Sequence, residues 1–385
     1  MNNFEEQEFL VEIDGKKFID VVKILPETLP SGKRILWKEV DDSKVLIFVD
    51  KHSAKGGNPS PVKIEKLIPI SEDLILLLGL WFGDGIKMQG GIFNAFGLAN
   101  SELTLHEKFL ELVEKAFGID RKEFDARLSV PEMMQQKIQE TKNKISQRLK
   151  IPLENFCRDQ VSKTRNFIHL DLKINSRIIG FLVHTITEII KPIILKNRNF
   201  AAKFISGVIA SDGSVFLRDG VRLENIFIAA KERHERKFLR DCLLLLDIIP
   251  NKDKEGKDGG IPIQGLSNFK RIKELGLMEI HPKKLEVFER GLKGFKSEQS
   301  RKGEGRFKVL QELAEGPKCR HELAKILNKS PETIRIDDLL VLEQQGFVKR
   351  SDIKNRCRIW EITEKGLEIL SKESPLEVLK HRTRI

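Results

Sequence analysis

The chain has 385 residues, 40% hydrophobic and 32% charged, with a formal net charge of +11. That length excludes a single small domain and predicts two or three, with enough apolar residues to close full cores. The basic balance suits polyanions such as nucleic acid or an anionic membrane surface, and it equally suits a lysine-rich solvated surface.

The N-terminal "MNNFEEQEFLVEIDG" is acidic and lacks the form of a signal peptide. The apolar runs read as shorter than a bilayer span and are broken by charge or glycine. The expectation is an intracellular, cytoplasmic protein with no membrane partner. Residues 1–70 read as a β-rich extension. "EFLVEI" and "KVLIFV" are short strand patterns, and "ILPETLPSGK" and "HSAKGGNPSPVK" carry turn and linker chemistry.

From Ser71 the pattern becomes a repeat. "SEDLILLLGLWFGDG" predicts a buried helix with Ser71 as N-cap and Glu72 and Asp73 in its first turn. "GIFNAFGLA" follows as strand. "SELTLHEKFLELVEKAFGI" predicts an amphipathic helix capped by Ser101 and stopped at Gly118. Residues 120–165 read as a polar, helical excursion. "NFIHLDLKI" then reads as strand and "SRIIGFLVHTITEII" as a helix capped by Ser176.

"NFAAKFISGVIASDG" restarts the pattern, with Asp212 falling 128 residues after Asp84. "SVFLR" and "VRLENIFIAA" flank Asp219-Gly220 as a hairpin. A helix ("ERHERKFLRDCLLLLDII"), a strand ("GIPIQGL") and two short helices ("NFKRIKELGL", "HPKKLEVFERGL") complete the second half. The repeat therefore spans residues 71–295, in halves of about 71–190 and 197–295. It is a duplication of a domain half and not a short solenoid repeat.

Residues 296–305 are a charged, glycine-containing linker. Over 306–375, three helices precede a hairpin, with Ser330 and Pro331 opening the third and Thr363 capping a final one. That is the winged helix-turn-helix order. Residues 376–385 form a basic tail.

The chemistry concentrates where the two motif helices end. Gly79 and Gly83 lie four apart on one helix face, as do Gly207 and Ser211. Small residues at that spacing let two helices approach closer than the usual ~8–10 Å. Packed in parallel, the helices would bring Asp84 and Asp212 together, with Gly85 and Gly213 as left-handed caps. Two carboxylates at the negative ends of helix dipoles repel each other, and a divalent cation such as Mg²⁺ or Mn²⁺ would relieve the repulsion. Four scattered cysteines and eight dispersed histidines offer no zinc spacing. His106, His184 and His281 read as packing or surface residues. Paired carboxylates, a shared hard metal and a basic protein point to metal-assisted phosphodiester hydrolysis.

Both motifs resemble the LAGLIDADG motif of homing endonucleases, over roughly residues 70–295 and including the helix starts near Ser101 and Ser176. The resemblance implies an α+β fold of two αββαββα halves whose strands form a saddle in the DNA major groove. The two-motif form implies a monomer with internal pseudo-symmetry. It implies Asp84 and Asp212 as metal-binding catalytic residues, with the Gly83 and Ser211 carbonyls as auxiliary ligands. On the saddle, Lys87, Gln89, Arg218 and Arg222 are the candidate DNA contacts. Lys87 and Lys231 are the candidates for the family's core lysine. The sequence departs from the motif at its sixth position, where Phe82 and Ala210 replace a frequent Asp.

The reading favours a metal-dependent endonuclease, because Asp is kept in both copies at an electrostatically costly place. The alternative is a non-cleaving regulator of the WhiA type, which also pairs this fold with a helix-turn-helix domain. On the winged helix, Thr333 and Arg335 would be exposed on the recognition helix. Lys349, Arg350, Lys354, Arg356 and Arg358 on the wing would meet phosphates. The acidic pair Asp337–Asp338 opposes DNA and leaves a protein partner as the other reading of that domain. The chain has no tyrosine.

Overall fold

The computed structural model describes residues 9–29, 32–50, 60–86, 95–157, 159–256, 259–295, 303–327, 329–354 and 357–371. It is a mixed α and β structure. Alternating apolar residues build the N-terminal elements: β1 (Leu10–Ile13), β2 (Lys16–Asp20), α1 (Val21–Ile24), β3 (Ile35–Glu39), β4 (Lys44–Val49), β5 (Val62–Glu65) and β6 (Leu67–Pro69). They form two antiparallel sheets, ordered β1-β2-β6 and β3-β4-β5. Their inward residues Ile19, Val45, Ile47, Ile64 and Ile68 are fully buried in the same core that reaches Phe288. The Ser176 hydroxyl donates to Ser60 O at 3.0 Å, tying this region to the first half of the repeat.

The first half comprises α2 (Glu72–Asp84), β7 (Phe96–Asn100), α3 (Leu103–Phe117), β8 (Asp125–Pro131), α4 (Ile138–Leu149), β9 (Gln160–Ser162), β10 (His169–Ile174) and α5 (Arg177–Lys196). Among the described residues its sheet has four strands in the order β7-β10-β8-β9. The second half comprises α6 (Arg198–Asp212), β11 (Gly213–Arg218), β12 (Arg222–Ala229), α7 (Arg233–Leu245), β13 (Gly260–Ile263), α8 (Leu266–Glu274) and α9 (Pro282–Lys293). Among the described residues its sheet has three strands, β11-β12-β13. The halves start alike: the residue after each motif helix pairs antiparallel, Gly85 with Leu98 and Gly213 with Ile228. Asp219 and Gly220 both take positive φ (54° and 70°), as a primed hairpin turn requires.

Several local expectations change. Asp125–Pro131, read as part of a helical excursion, is a strand pairing antiparallel with β10; Ala126, Leu128 and Val130 alternate inward. The cap of α3 is Glu102 and not Ser101, with the preceding Asn100 Oδ1 accepting from Glu102 N at 2.7 Å. Ser176 stands at the N-cap of α5, but its hydroxyl serves Ser60 and caps nothing in the helix. Gly85 and Gly213 are extended (φ −63° and −74°) and not left-handed. A side chain is excluded there by crowding: a Cβ on Gly85 would lie 2.1 Å from Trp81 O, and one on Gly213 2.4 Å from Ile209 O.

Helix α5 also exceeds the expected apolar length. It has 20 residues, and an 18-residue window within it has a mean hydropathy of 1.8, which by length and composition is enough to cross a membrane. Ile178, Ile179, Leu182, Val183, Ile186, Ile190 and Ile194 are instead buried in the core.

Residues up to Phe295 form one unit, and the rest of the chain forms a second. In the second unit the order is α10 (Glu304–Ala314), β14 (Lys318–Cys319), α11 (Arg320–Ile326), α12 (Pro331–Thr333), a π-type turn over Ile334–Leu339, α13 (Leu340–Gln344), β15 (Val348–Lys354), β16 (Cys357–Ile362) and α14 (Glu364–Leu370). The sheet order is β14-β16-β15. Ser330 caps α12 and Thr363 caps α14 through their hydroxyls. The arrangement is a winged helix around Leu310, Leu323, Ile334, Leu339, Leu342 and Trp360.

Candidate functional site at the paired motif helices

The two motif helices touch backbone to backbone. A Cβ on Gly79 would lie 2.3 Å from Phe204 O, and one on Gly207 2.7 Å from both Leu76 O and Leu80 N. One turn further on, a Cβ on Gly83 would lie 1.9 Å from the Ser211 hydroxyl and 3.0 Å from Asp212 N. Gly79 therefore faces Phe204 and Gly207, and Gly83 faces Ser211 and Asp212. The register advances by four on both helices, so they run parallel and their C-terminal ends meet. The Ser211 hydroxyl turns back onto its own helix, donating to Gly207 O at 2.9 Å. Phe82 is buried and packs edge-on to Phe204 at 5.4 Å. Ala210 is likewise buried. The two positions that depart from the motif thus belong to the core.

A lysine that the sequence reading did not single out dominates the junction. Lys284 Nζ donates to Ile209 O at 3.0 Å and to Ala210 O and Ser211 O at 2.7 Å each. These are carbonyls of the last turn of α6, where the helix dipole is most negative. Burial pushes the Lys284 ammonium down to about 8, while the Asp84 and Asp212 carboxylates push it back up. It therefore remains charged at neutral pH. On the other helix end, the Asn100 amide donates to the Asp84 carboxylate.

Nearby, Lys283 pairs with Glu102 at 2.7 Å, linking the second half to the first. His281 caps α9 by accepting from Lys284 N at 3.3 Å; burial and then the Lys284 charge push its ring down to about 4. His106 is fully buried and its Nε2 meets Asn100 O at 3.1 Å, so it supports the strand that carries Asn100. One signal for Lys284 was present in the sequence. "HPKK" puts Pro282 at the first helical position, so both lysines fall in the first turn of α9. A helix N-terminus disfavours cations, and two of them there ask for an external reason.

The donor set at the junction does not fit a divalent metal. The Ser211 carbonyl, expected as an auxiliary ligand, already accepts from the ammonium. The Asp84 carboxylate accepts from the Asn100 amide. Among the described residues no group of three or more His, Cys, Asp or Glu side chains could hold an ion. Mg²⁺ would have to displace an ammonium that already supplies positive charge.

The expected DNA contacts divide. Lys87, Gln89 and Arg356 lie outside the described residues. Arg218 pairs with Glu224 at 2.9 Å, and Arg222 stacks over the Phe295 ring at 5.6 Å. Lys231, a candidate core lysine, is an exposed residue whose carbonyl accepts from Arg236. On the winged helix, the Thr333 and Ser330 hydroxyls share a hydrogen bond of 2.8 Å, and Arg335 pairs with Glu332. Lys349 and Arg358 are exposed. Arg350 is held between Glu343 at 2.6 Å and the Trp360 ring at 5.3 Å. Lys354 is placed as the last residue of β15. Of the acidic pair, Asp338 is buried with its carboxylate held by Lys329 at 2.9 Å, while Asp337 is half-exposed.

Residues 303–350 match the family model described as bacterial regulatory protein, arsR family. No curated protein matches the chain. Among solved structures, the full-length DUF199/WhiA protein from Thermatoga maritima is similar at 11% identity and a TM-score of 0.35, over 69% of this chain and 89% of that one. The I-DmoI protein, solved in complex with DNA and Mn, is similar at 16% identity and a TM-score of 0.26, over 54% of this chain and 96% of that one. At those scores neither likeness carries an argument about this chain.

Proposed function

We propose that the chain is a sequence-specific double-stranded-DNA-binding protein. In this reading it combines a LAGLIDADG-type duplicated unit with a winged helix and acts as a regulator without cleaving. The observation that carries the binding reading is the winged helix, whose recognition segment buries its acidic Asp338 and leaves Thr333 and Arg335 half-exposed, with Lys349 and Arg358 exposed on the wing. The family match covers Thr333, Arg335, Asp338 and Lys349 and ends before Arg358. A net charge of +11 supports the reading, because charge-driven attraction to phosphates supplies much of the affinity for DNA. Cleavage is left out because the donor set beside Asp84 and Asp212 does not suit a divalent ion.

The test is selection from a pooled double-stranded DNA library, with and without Mg²⁺ or Mn²⁺, followed by sequencing of bound DNA and of any new ends. The expected result is an enriched site and no metal-dependent ends. Salt titration on that site should give a slope shallower by about 1 for Lys349→Ala, the signature of one lost phosphate contact. Ends at one site that require the metal would restore the endonuclease reading. An unchanged slope in Lys349→Ala, Arg335→Ala and Arg358→Ala would leave the winged helix to a protein partner.

A further inference from the structure

We infer that the Lys284 ammonium is a resident cation that takes the place a divalent metal would have at the paired motif ends, and that it keeps metal out. The inference does not depend on whether the chain binds DNA.

Three observations converge on it. The first is reach: Nζ lies within 3.0 Å of three successive carbonyls of the last turn of α6, including Ser211 O. An ammonium has three N–H donors, so this single group is fully used there. The second is charge. Asp84 and Asp212 both act on Lys284 electrostatically, so one positive charge serves two carboxylates and the negative end of α6. The third is placement. Lys284 sits in the first helical turn of α9, where the helix itself repels a cation. His281, Pro282 and the Lys283–Glu102 pair fix that turn against the junction. The charges that act on the Lys284 ammonium are the Asp84 and Asp212 carboxylates, and both favour it, while the neighbouring His281 ring is held uncharged by burial and by Lys284 itself.

A bound hard metal would need the same oxygens. Mg²⁺, Mn²⁺ and Ca²⁺ take carboxylate and carbonyl oxygens, and repulsion from a fixed ammonium in their midst opposes their entry. Removing that one charge leaves two carboxylates and the freed carbonyls, a set of hard oxygen donors of the kind these ions bind. Lys284 is thus a positioning residue: it neutralises and holds the helix ends by a tethered charge, where a metal would do so by coordination.

The experiment measures Mn²⁺ binding by the full chain without DNA, by calorimetry and by the electron paramagnetic resonance signal of free Mn²⁺. Four proteins are compared: wild type, Asp84→Asn/Asp212→Asn, Lys284→Met, and Lys284→Met with both Asp→Asn changes. Methionine keeps the length of the stem and removes the charge. The wild type should show no Mn²⁺ binding that the Asp→Asn pair abolishes. Lys284→Met should bind Mn²⁺ at least tenfold more tightly than wild type, and the added Asp→Asn changes should remove that gain. Mn²⁺ should also raise the melting temperature of Lys284→Met and leave that of wild type unchanged. Wild-type binding that falls tenfold in Asp84→Asn/Asp212→Asn would overturn the inference, and this arm stands even if Lys284→Met does not fold. A folded Lys284→Met protein with no gain in Mn²⁺ affinity would overturn it as well.

Discussion

His106 shows how a residue that supports the site from behind can govern stability. It is fully buried, with Nε2 at the Asn100 carbonyl and no partner for Nδ1 among the described residues. Burial pushes its ring down from 6.5 to about 4. Between those values the unfolded chain takes up a proton that the native ring refuses. The stabilising contribution is therefore complete above pH 6.5 and is lost as pH falls toward 4. A shift of this size corresponds to about 3 kcal/mol. Denaturant midpoints at pH 7 and pH 4.5 should differ more in the wild type than in His106→Leu, and equal pH slopes in the two would disprove the assignment. The position of His106 six residues after Asn100 was plain in the sequence. Its burial was not, because a histidine on an amphipathic helix reads as readily for the solvent side.

At the scale of elements, the decisive contact is α2 against α6. Ser71, Gly79, Gly83, Gly207 and Ser211 were legible because caps and four-residue spacings are local properties that the chain states directly. Lys284 and Asn100 were not. Lys284 reaches Ser211 across 73 residues, and nothing local announces that meeting. β8 was misread for another reason: polar residues on its outer face hid the inward alternation of Ala126, Leu128 and Val130. The tightness of the helix pair has a direct consequence. Gly79→Ala places a methyl 2.3 Å from a main-chain oxygen that has no rotamer to yield. The helices must separate, and overpacking of this kind costs about 1–3 kcal/mol or more. The expected outcome is a denaturation midpoint lowered accordingly, with the slope of the transition unchanged. A neutral effect on the midpoint would mean that the close approach is not rigid.

For the whole molecule, the separation into two units has a physical basis in the cores. One apolar cluster runs from Phe9 to Phe288, with Phe295 packed against it, and the other begins at Phe307; they share no residue. A chain ending at Phe295 should therefore fold by itself, with one cooperative thermal transition matching one of those of the full-length protein. Loss of near-ultraviolet circular dichroism in the shortened chain would show that its core needs the second unit. A duplicated pattern ending near residue 295, followed by a charged run, is what the sequence offers for such a boundary. The N-terminal strands could not be allotted the same way. Their sheets close on the shared core through scattered residues such as Ile19, Ile47 and Ile64, and no motif marks them.

The tryptophans add a practical consequence. With no tyrosine and three tryptophans, the intrinsic fluorescence of this chain comes from three places. Trp37 lies 44% exposed on β3, Trp81 is buried with its ring against Gly85 at the end of α2, and Trp360 is buried under Arg350 in the winged helix. Replacing any two with phenylalanine leaves a single emitter. A protein keeping only Trp81 would report optically on the junction where Lys284 meets the two aspartates.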